Sequence, residues 1–141
     1  MAILTKNRLP VVQDGRTGNR TVNGALAKIF AGSVLTWDIA SQKTIRKEAA
    51  GTDKFDGIAI NQSEVDNDDL EVFESGVIWI PVADIAGGAA VAVNDVIYVV
   101  GTDNLYDDST VDNAGTCTPW GLCSAIKGTI AKIEFDVRKA R

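Results

Sequence analysis

Three arginines stand in the first twenty residues, Arg8, Arg16 and Arg20, the last two inside DGRTGNR at 14–20. A guanidinium is a planar fork of donors that suits bidentate pairing with a carboxylate. Carboxylates are plentiful: 19 Asp and Glu in 141 residues. Two acidic stretches, SEVDNDDLE at 63–71 and YDDSTVDN at 106–113, offer oxygen ligands. In the first, Glu64, Asp66, Asp68 and Asp69 could supply several of the about six to eight oxygens that calcium takes. Neither stretch has the D-x-[DN]-x-[DN]-G-x5-E spacing of an EF-hand, so both read as solvated turns, with no metal and no cofactor expected. DGRTGNR is glycine-rich like a phosphate loop but lacks G-x-x-x-x-G-K-[ST] and the strand-then-helix setting. Its arginines read as carboxylate-pairing residues on an arm.

The chain has no histidine. That removes the commonest general base and the commonest metal ligand. Ser-His-Asp and Cys-His arrangements are impossible within one chain. Lysine or carboxylate chemistry stays open, but no pair marks it, so no catalytic residue and no enzyme activity are expected. Cys117 and Cys123 lie in TCTPWGLC, five residues between them. They cannot complete a four-ligand zinc site without histidine, and the spacing is not that of a C-x-x-C redox motif. Both are expected as free, mostly buried thiols.

Charge is unevenly placed. Residues 1–50 carry eight Lys/Arg against three acids, residues 51–115 one against 14, and residues 116–141 five against two. Basic ends and an acidic middle fit a body with two electrostatic faces, one of which grips an acidic partner through the termini. The acidic middle repels phosphate, so nucleic acid is not an expected partner. No apolar run approaches the roughly 20 residues of a membrane helix, and MAILTKNRLP lacks a signal peptide's apolar centre and cleavage site. The expectation is a protein made and kept in a cytoplasm, with no membrane partner.

The elements that position these groups read as short strands. The length favours one domain, taken as a β domain over residues 25–141 behind an extended N-terminal arm, residues 1–24. Those 24 residues mix Arg, Asn, Gly and Thr with no sustained period; such a segment is ordered by whatever it lies against. Beyond them, ALAKIF, SVLTW, GIAI and DVIYVV are short apolar runs, and NLY after Gly101 reads as a return strand. LEVFES and VIWIPV flank Ser75-Gly76, a hairpin signal. In GTIAKIEFDV, Ile133, Phe135 and Val137 alternate with Glu134 and Asp136, the two-residue period of a half-buried strand. DIAGGAAVAV contains Gly87 and Gly88, together about 2 kcal/mol worse than alanine inside a helix. At most one short helix fits there. The class is all-β, a small barrel or sandwich. Trp37 and Trp120 each follow a turn and are expected in the core. VIWIPV is apolar on both faces, with Val77, Trp79 and Pro81 on one and Ile78, Ile80 and Val82 on the other. One face therefore meets the core, and the other is covered within the domain or by another chain.

The chain also echoes itself. FAGSVLTWDI at 30–39 and AVNDVIYVVG at 92–101 each open on a turn and enter an apolar strand. FDGIAI at 55–60 and PWGLCS at 119–124 each set a glycine before a strand of small residues. Val34 and Val96 lie 62 residues apart, Gly57 and Gly121 64 apart. This internal pseudo-duplication predicts two similar β units around one core.

The order GVIWIPVAD, an Ala/Gly linker, AVNDVIYVV, an acidic insertion, PWGLCSAIKG and TIAKIEFDV resembles the small head decoration, or cement, proteins of tailed bacteriophages. In that family a strand ending in Pro-Val precedes a GD-x-VY-like turn and strand, then a GxA-like strand and a final alternating one. The match covers roughly residues 55–137 and, more loosely, 30–54. Asn94-Asp95 stands where Gly-Asp is usual, and Cys123 where alanine or valine is usual. The resemblance implies a β-rich domain without catalysis that binds the outer surface of the major capsid protein lattice. It also implies a homotrimer on the virion exterior, assembled in the host cytoplasm, with an arm reaching onto the capsid. On this reading Leu4, Arg8, Arg16 and Arg20 contact the capsid through the arm, and Phe73 and Trp79 belong to the subunit interface. The rival readings are a tail-tube or other ring-forming virion component and a small glycan-binding β module.

Overall fold

In a computed structural model of the chain the described residues are 11–22, 29–38, 42–45, 54–63, 69–85, 91–98, 110–111 and 119–138. Nine strands run through them: β1 (Val12–Thr21), β2 (Val34–Asp38), β3 (Lys43–Ile45), β4 (Lys54–Ala59), β5 (Asp69–Pro81), β6 (Val96–Tyr98), β7 (Thr110–Val111), β8 (Pro119–Lys127) and β9 (Ile130–Asp136). The one helical element among the described residues is a 3-10 turn, Val82–Asp84. The named strands pair antiparallel throughout, in a single sheet that curls into a half-barrel. The protein is all-β, as its sequence predicts. NLY, Cys117, Gly87 and Gly88 lie outside the described residues, as do residues 64–68, 106–109 and 112–113 of the acidic stretches.

LEVFES and VIWIPV are not a hairpin. They form the single thirteen-residue strand β5, in which Ser75 and Gly76 pair with Asp136 and Phe135 of β9. Backbone groups that a turn would bond locally are taken by the next strand, and this ladder overrides the local turn signal. β5 also pairs with β1 along Asp69–Ile78 and with β4 at Val72 and Phe73.

The echo is a repeat of pairing as well as of sequence. Val34↔Ile58 and Leu35↔Gly57 in β2 and β4 match Val96↔Leu122 and Ile97↔Gly121 in β6 and β8; each ladder shifts register after its second pair. The entry turns match too. Ser33 N–H donates to the Phe30 carbonyl and Asp95 N–H to the Ala92 carbonyl, both at 3.1 Å. The third residue of each turn has positive φ, 97° at Gly32 and 78° at Asn94, as a type II turn demands. Asparagine tolerates that region, so it can stand where glycine is usual. Gly32 and Ser33 exchange bonds with Ala59, and Asn94 and Asp95 do the same with Cys123. The first unit has the strand order β3-β2-β4-β5-β1 and the second β7-β6-β8-β9-β5. Thus β5 serves both units, closing the first and opening the second.

The units share a main core. Val34, Phe55 and Ile58 of the first meet Ile97, Trp120, Cys123, Ile133 and Phe135 of the second, with Ile78 and Ile80 of β5 between. A second cluster holds Val22, Ile29, Leu35, Ala59, Leu70 and Val72. Sequence neighbours Val34 and Leu35, like Ile58 and Ala59, go to different clusters, as the alternation of side chains along a strand requires. The first unit's sheet is therefore covered on both faces. Trp120 is fully buried, as expected, whereas Trp37 is only half-buried.

Candidate functional site

Of residues 1–24, expected as an arm, Leu4 and Arg8 lie outside the described residues. Val12–Thr21 is extended, and it lies along this chain's own β5. That pairing carries Arg16 and Arg20 to three carboxylates of the same chain. Arg16 Nε is 3.2 Å from Glu74 Oε1, and its Nη2 is 3.8 Å from Asp136 Oδ1. Arg20 Nε is 3.0 Å from Asp56 Oδ1, and its Nη2 is 2.7 Å from Glu74 Oε2. Arg20 Nη1 donates to the Asn19 carbonyl, and the Thr44 hydroxyl donates to Asp56 Oδ2. The chemistry expected of these arginines is present, with partners on β4, β5 and β9. The carboxylates had a signal of their own: Asp56 and Glu74 interrupt the apolar runs FDGIAI and LEVFES.

Burial opposes the Arg20 charge, but Glu74 and Asp56 outweigh it and its pKa rises. Glu74 is held below the ordinary glutamate range, first by its hydrogen bond from Arg20 and then, against its own partial burial, by Arg16. On acidification the unfolded chain protonates Glu74 first. The stability this group contributes is therefore present above the ordinary glutamate range and is lost as pH falls through the lower folded value. Glu74→Gln is expected to cost about 1–2 kcal/mol at neutral pH and to flatten the acid limb of stability against pH. Urea titrations at a series of pH values check this; an unchanged acid limb would contradict it.

The two residues expected at a subunit interface separate. Phe73 packs against the main core. Trp79 stays half-buried on the outward side of β5, with Lys127 Nζ 5.4 Å from the centre of its ring. Both are odd-numbered residues of one strand, yet β5 presents Phe73 and then Ile78 and Ile80 to the same core. The strand changes the face it turns inward between Phe73 and Ile78, where its partner changes from β4 to β9.

The outward face of β5, β9, β8 and β6 is the candidate functional surface. Val77, Glu134, Leu122 and Val96 are successive cross-strand partners, so their side chains share one face. The next row toward the β8–β9 turn holds Trp79, Lys132 and Ala125, and the row beyond it Pro81, Ile130 and Lys127. Leu122 and Ile130 are each 41% exposed. An open groove of about 830 Å³ lies over this face, lined among others by Asp14, Val77, Tyr98, Leu122, Glu134 and Asp136. It is apolar along its floor and acidic at one end. Beneath it Cys123 is a buried free thiol whose pKa is pushed up by burial, as expected for an inert structural cysteine.

Among the described residues no group of three or more His, Cys, Asp or Glu could hold a metal ion, and no helix is long and apolar enough to cross a membrane. No protein-family model matches this chain, and no curated protein matches it.

Proposed function

We propose that this chain is a non-enzymatic structural protein of a tailed-phage virion, a decoration protein that binds the outer surface of the major capsid protein lattice and stabilises the head. The observation that carries the reading is the open face over β5, β9, β8 and β6, a half-apolar sheet surface that includes Val77, Val96 and Leu122. Such a surface serves association. The motif order that resembles decoration proteins falls on the same strands, from β5 to β9. The work is additive contact: a stable interface buries about 1,600 Å² in total, and linked copies raise one another's effective concentration. Leu4, Arg8 and the exposed part of Arg16 remain the shell-contacting groups of this proposal. Arg20 is committed to Asp56 and Glu74 and drops to a supporting part.

The test is co-sedimentation of the purified full chain with expanded, undecorated capsids, together with the capsids' melting temperature. Binding with a raised melting temperature supports the reading; a folded protein that stays in the supernatant overturns it. The arm is tested by removing residues 1–10, since a longer deletion would also take away β1 and its ion pairs. Undiminished capsid binding by the shortened chain would remove Leu4 and Arg8 from the contact.

A further inference from the structure

The two units repeat one fold but are not covered alike. Matching their ladders sets Leu35 against Ile97, Ala59 against Cys123, Leu70 against Ala131 and Val72 against Ile133. All eight are buried. On the opposite face the same matching sets Val34 against Val96, Ile58 against Leu122 and Phe73 against Glu134. Here the units part. Val34 and Ile58 are buried in the main core, and Phe73 packs on it. Val96, Leu122 and Glu134 line the open groove. The first unit has this face covered by the second unit, and no described residue does the same for the second unit.

Charge says what fits there. Running along β9 from Asp136 to Ile130, the face passes from acidic to basic. Asp14, Glu134 and Asp136 stand at one end, with Arg16 3.8 Å from Asp136, and Lys132 and Lys127 toward the other. Residues two apart on a strand are separated by about 7 Å. A two-fold axis lying across β9, between the rows of Glu134 and Lys132, would superpose the acidic end of one copy on the basic end of another. Glu134 would then face Lys132 of the second copy, Asp136 would turn toward its Lys127, and Val77 would pack on its Trp79. Packed sheets sit about 10 Å apart with strands nearly aligned, and a two-fold axis across β9 keeps the β9 strands of the two copies aligned and antiparallel.

We propose that the outward face of β5, β9 and β8 is the contact with a second copy of this chain, made about a two-fold axis and anchored by Trp79, Val77 and Leu122. The inference deepens the assembly reading above by giving the copies their contact surface, and it makes the unit a pair rather than the trimer that the resemblance implies.

Sedimentation equilibrium of the full chain is expected to give the mass of a pair at micromolar concentration. Glu134→Lys and Lys132→Glu each set like charges opposite one another, and each is expected to weaken the pair by about tenfold or more. The double variant K132E/E134K exchanges the two charges and is expected to restore the wild-type affinity. A merely structural role would not produce that rescue. Circular dichroism melts should show all three variants folded, since both side chains lie on the outward face. A monomeric wild type, a trimer mass, or single reversals that leave the mass unchanged would each overturn the proposal. Capsid co-sedimentation of the Glu134→Lys variant separates the two readings. A monomer that still binds shells keeps decoration independent of the pair, and a wild-type pair that ignores shells keeps the pair without decoration.

Discussion

Trp120→Ala is expected to lower stability by about 4 kcal/mol, the largest loss of any single truncation among the described residues. Trp120 is the largest fully buried side chain. Its ring centre is 6.2 Å from that of Phe55 and 6.4 Å from that of Phe135, within the range where aromatic pairs add to simple burial. Phe55 belongs to β4 of the first unit, while Trp120 and Phe135 belong to β8 and β9 of the second. The trio therefore joins the units, and the cavity left by alanine would open at their junction. A domain of this size has about 5–15 kcal/mol of stability in all, so the variant should unfold far earlier. It should still unfold in one transition, because β5 runs through both units and the main core is built from both. Trp79→Ala is the control. Trp79 lies on the outward face with Lys127 over it, and its loss, measured at concentrations too low for copies to pair, is expected to cost about 1 kcal/mol. Urea unfolding followed by circular dichroism measures both. A Trp120→Ala cost near that of Trp79→Ala would mean that the two units do not share a core.

What could be read from the sequence, and what could not, follows from which interactions leave a mark on residue type. The entry turns were legible because positive φ selects Gly32 and Asn94. β9 was legible because one of its faces is wet and the other dry, which forces alternation. The strand β1 left no such mark. VQDGRTGNRT is held to β5 by backbone bonds and by the ion pairs of Arg16 and Arg20, and neither needs an apolar period. Its equivalent in the second unit is the apolar end of β5, so the repeat is broken in composition just where it continues in pairing. Ser75-Gly76 misled for a related reason: its backbone bonds go to β9 and β1, partners distant in sequence.

The candidate site was half legible for the same reason. VIWIPV, apolar on both faces, marked β5 as a strand with a second surface to cover, and Trp79 does stand on that surface. Phe73, expected with it at a subunit interface, packs on the main core instead. The two-residue alternation of β5 breaks between Phe73 and Ile78, where its register with β1 shifts and Glu74 is left without a Cα partner. Asp56 and Glu74 are acids set in FDGIAI and LEVFES, but nothing local says that Arg20 reaches both of them.

The matched glycines carry the second large effect, and they separate two causes that a sequence repeat cannot. Gly57 and Gly121 stand at equivalent places in β4 and β8, each against the equivalent pair of residues on the next strand. A Cβ at Gly57 would lie 2.8 Å from the Phe73 carbonyl oxygen and 3.1 Å from Val72 Cβ, on a backbone whose φ is +119°. A Cβ at Gly121 would lie 2.5 Å from Ile133 Cγ2, with the Glu134 carbonyl oxygen at 3.6 Å. The first obstacle is backbone in a conformation that side chains rarely adopt; the second is one methyl group of a side chain. Gly57→Ala is expected to cost about 3 kcal/mol, strain and overpacking together. Gly121→Ala is expected to cost about 1.5 kcal/mol from overpacking alone. The variants should also respond differently to relief. Changing Ile133→Ala beside Gly121→Ala removes the obstructing methyl, so the double variant should be more stable than the sum of the two single losses predicts. Changing Val72→Ala beside Gly57→Ala leaves the Phe73 carbonyl and the positive φ in place, and the two losses should simply add. Chemical unfolding of the four single and two double variants gives the coupling energies directly. Equal coupling in the two cycles would show that the repeat is closer than the two glycines' surroundings make it, and that strain at Gly57 contributes nothing.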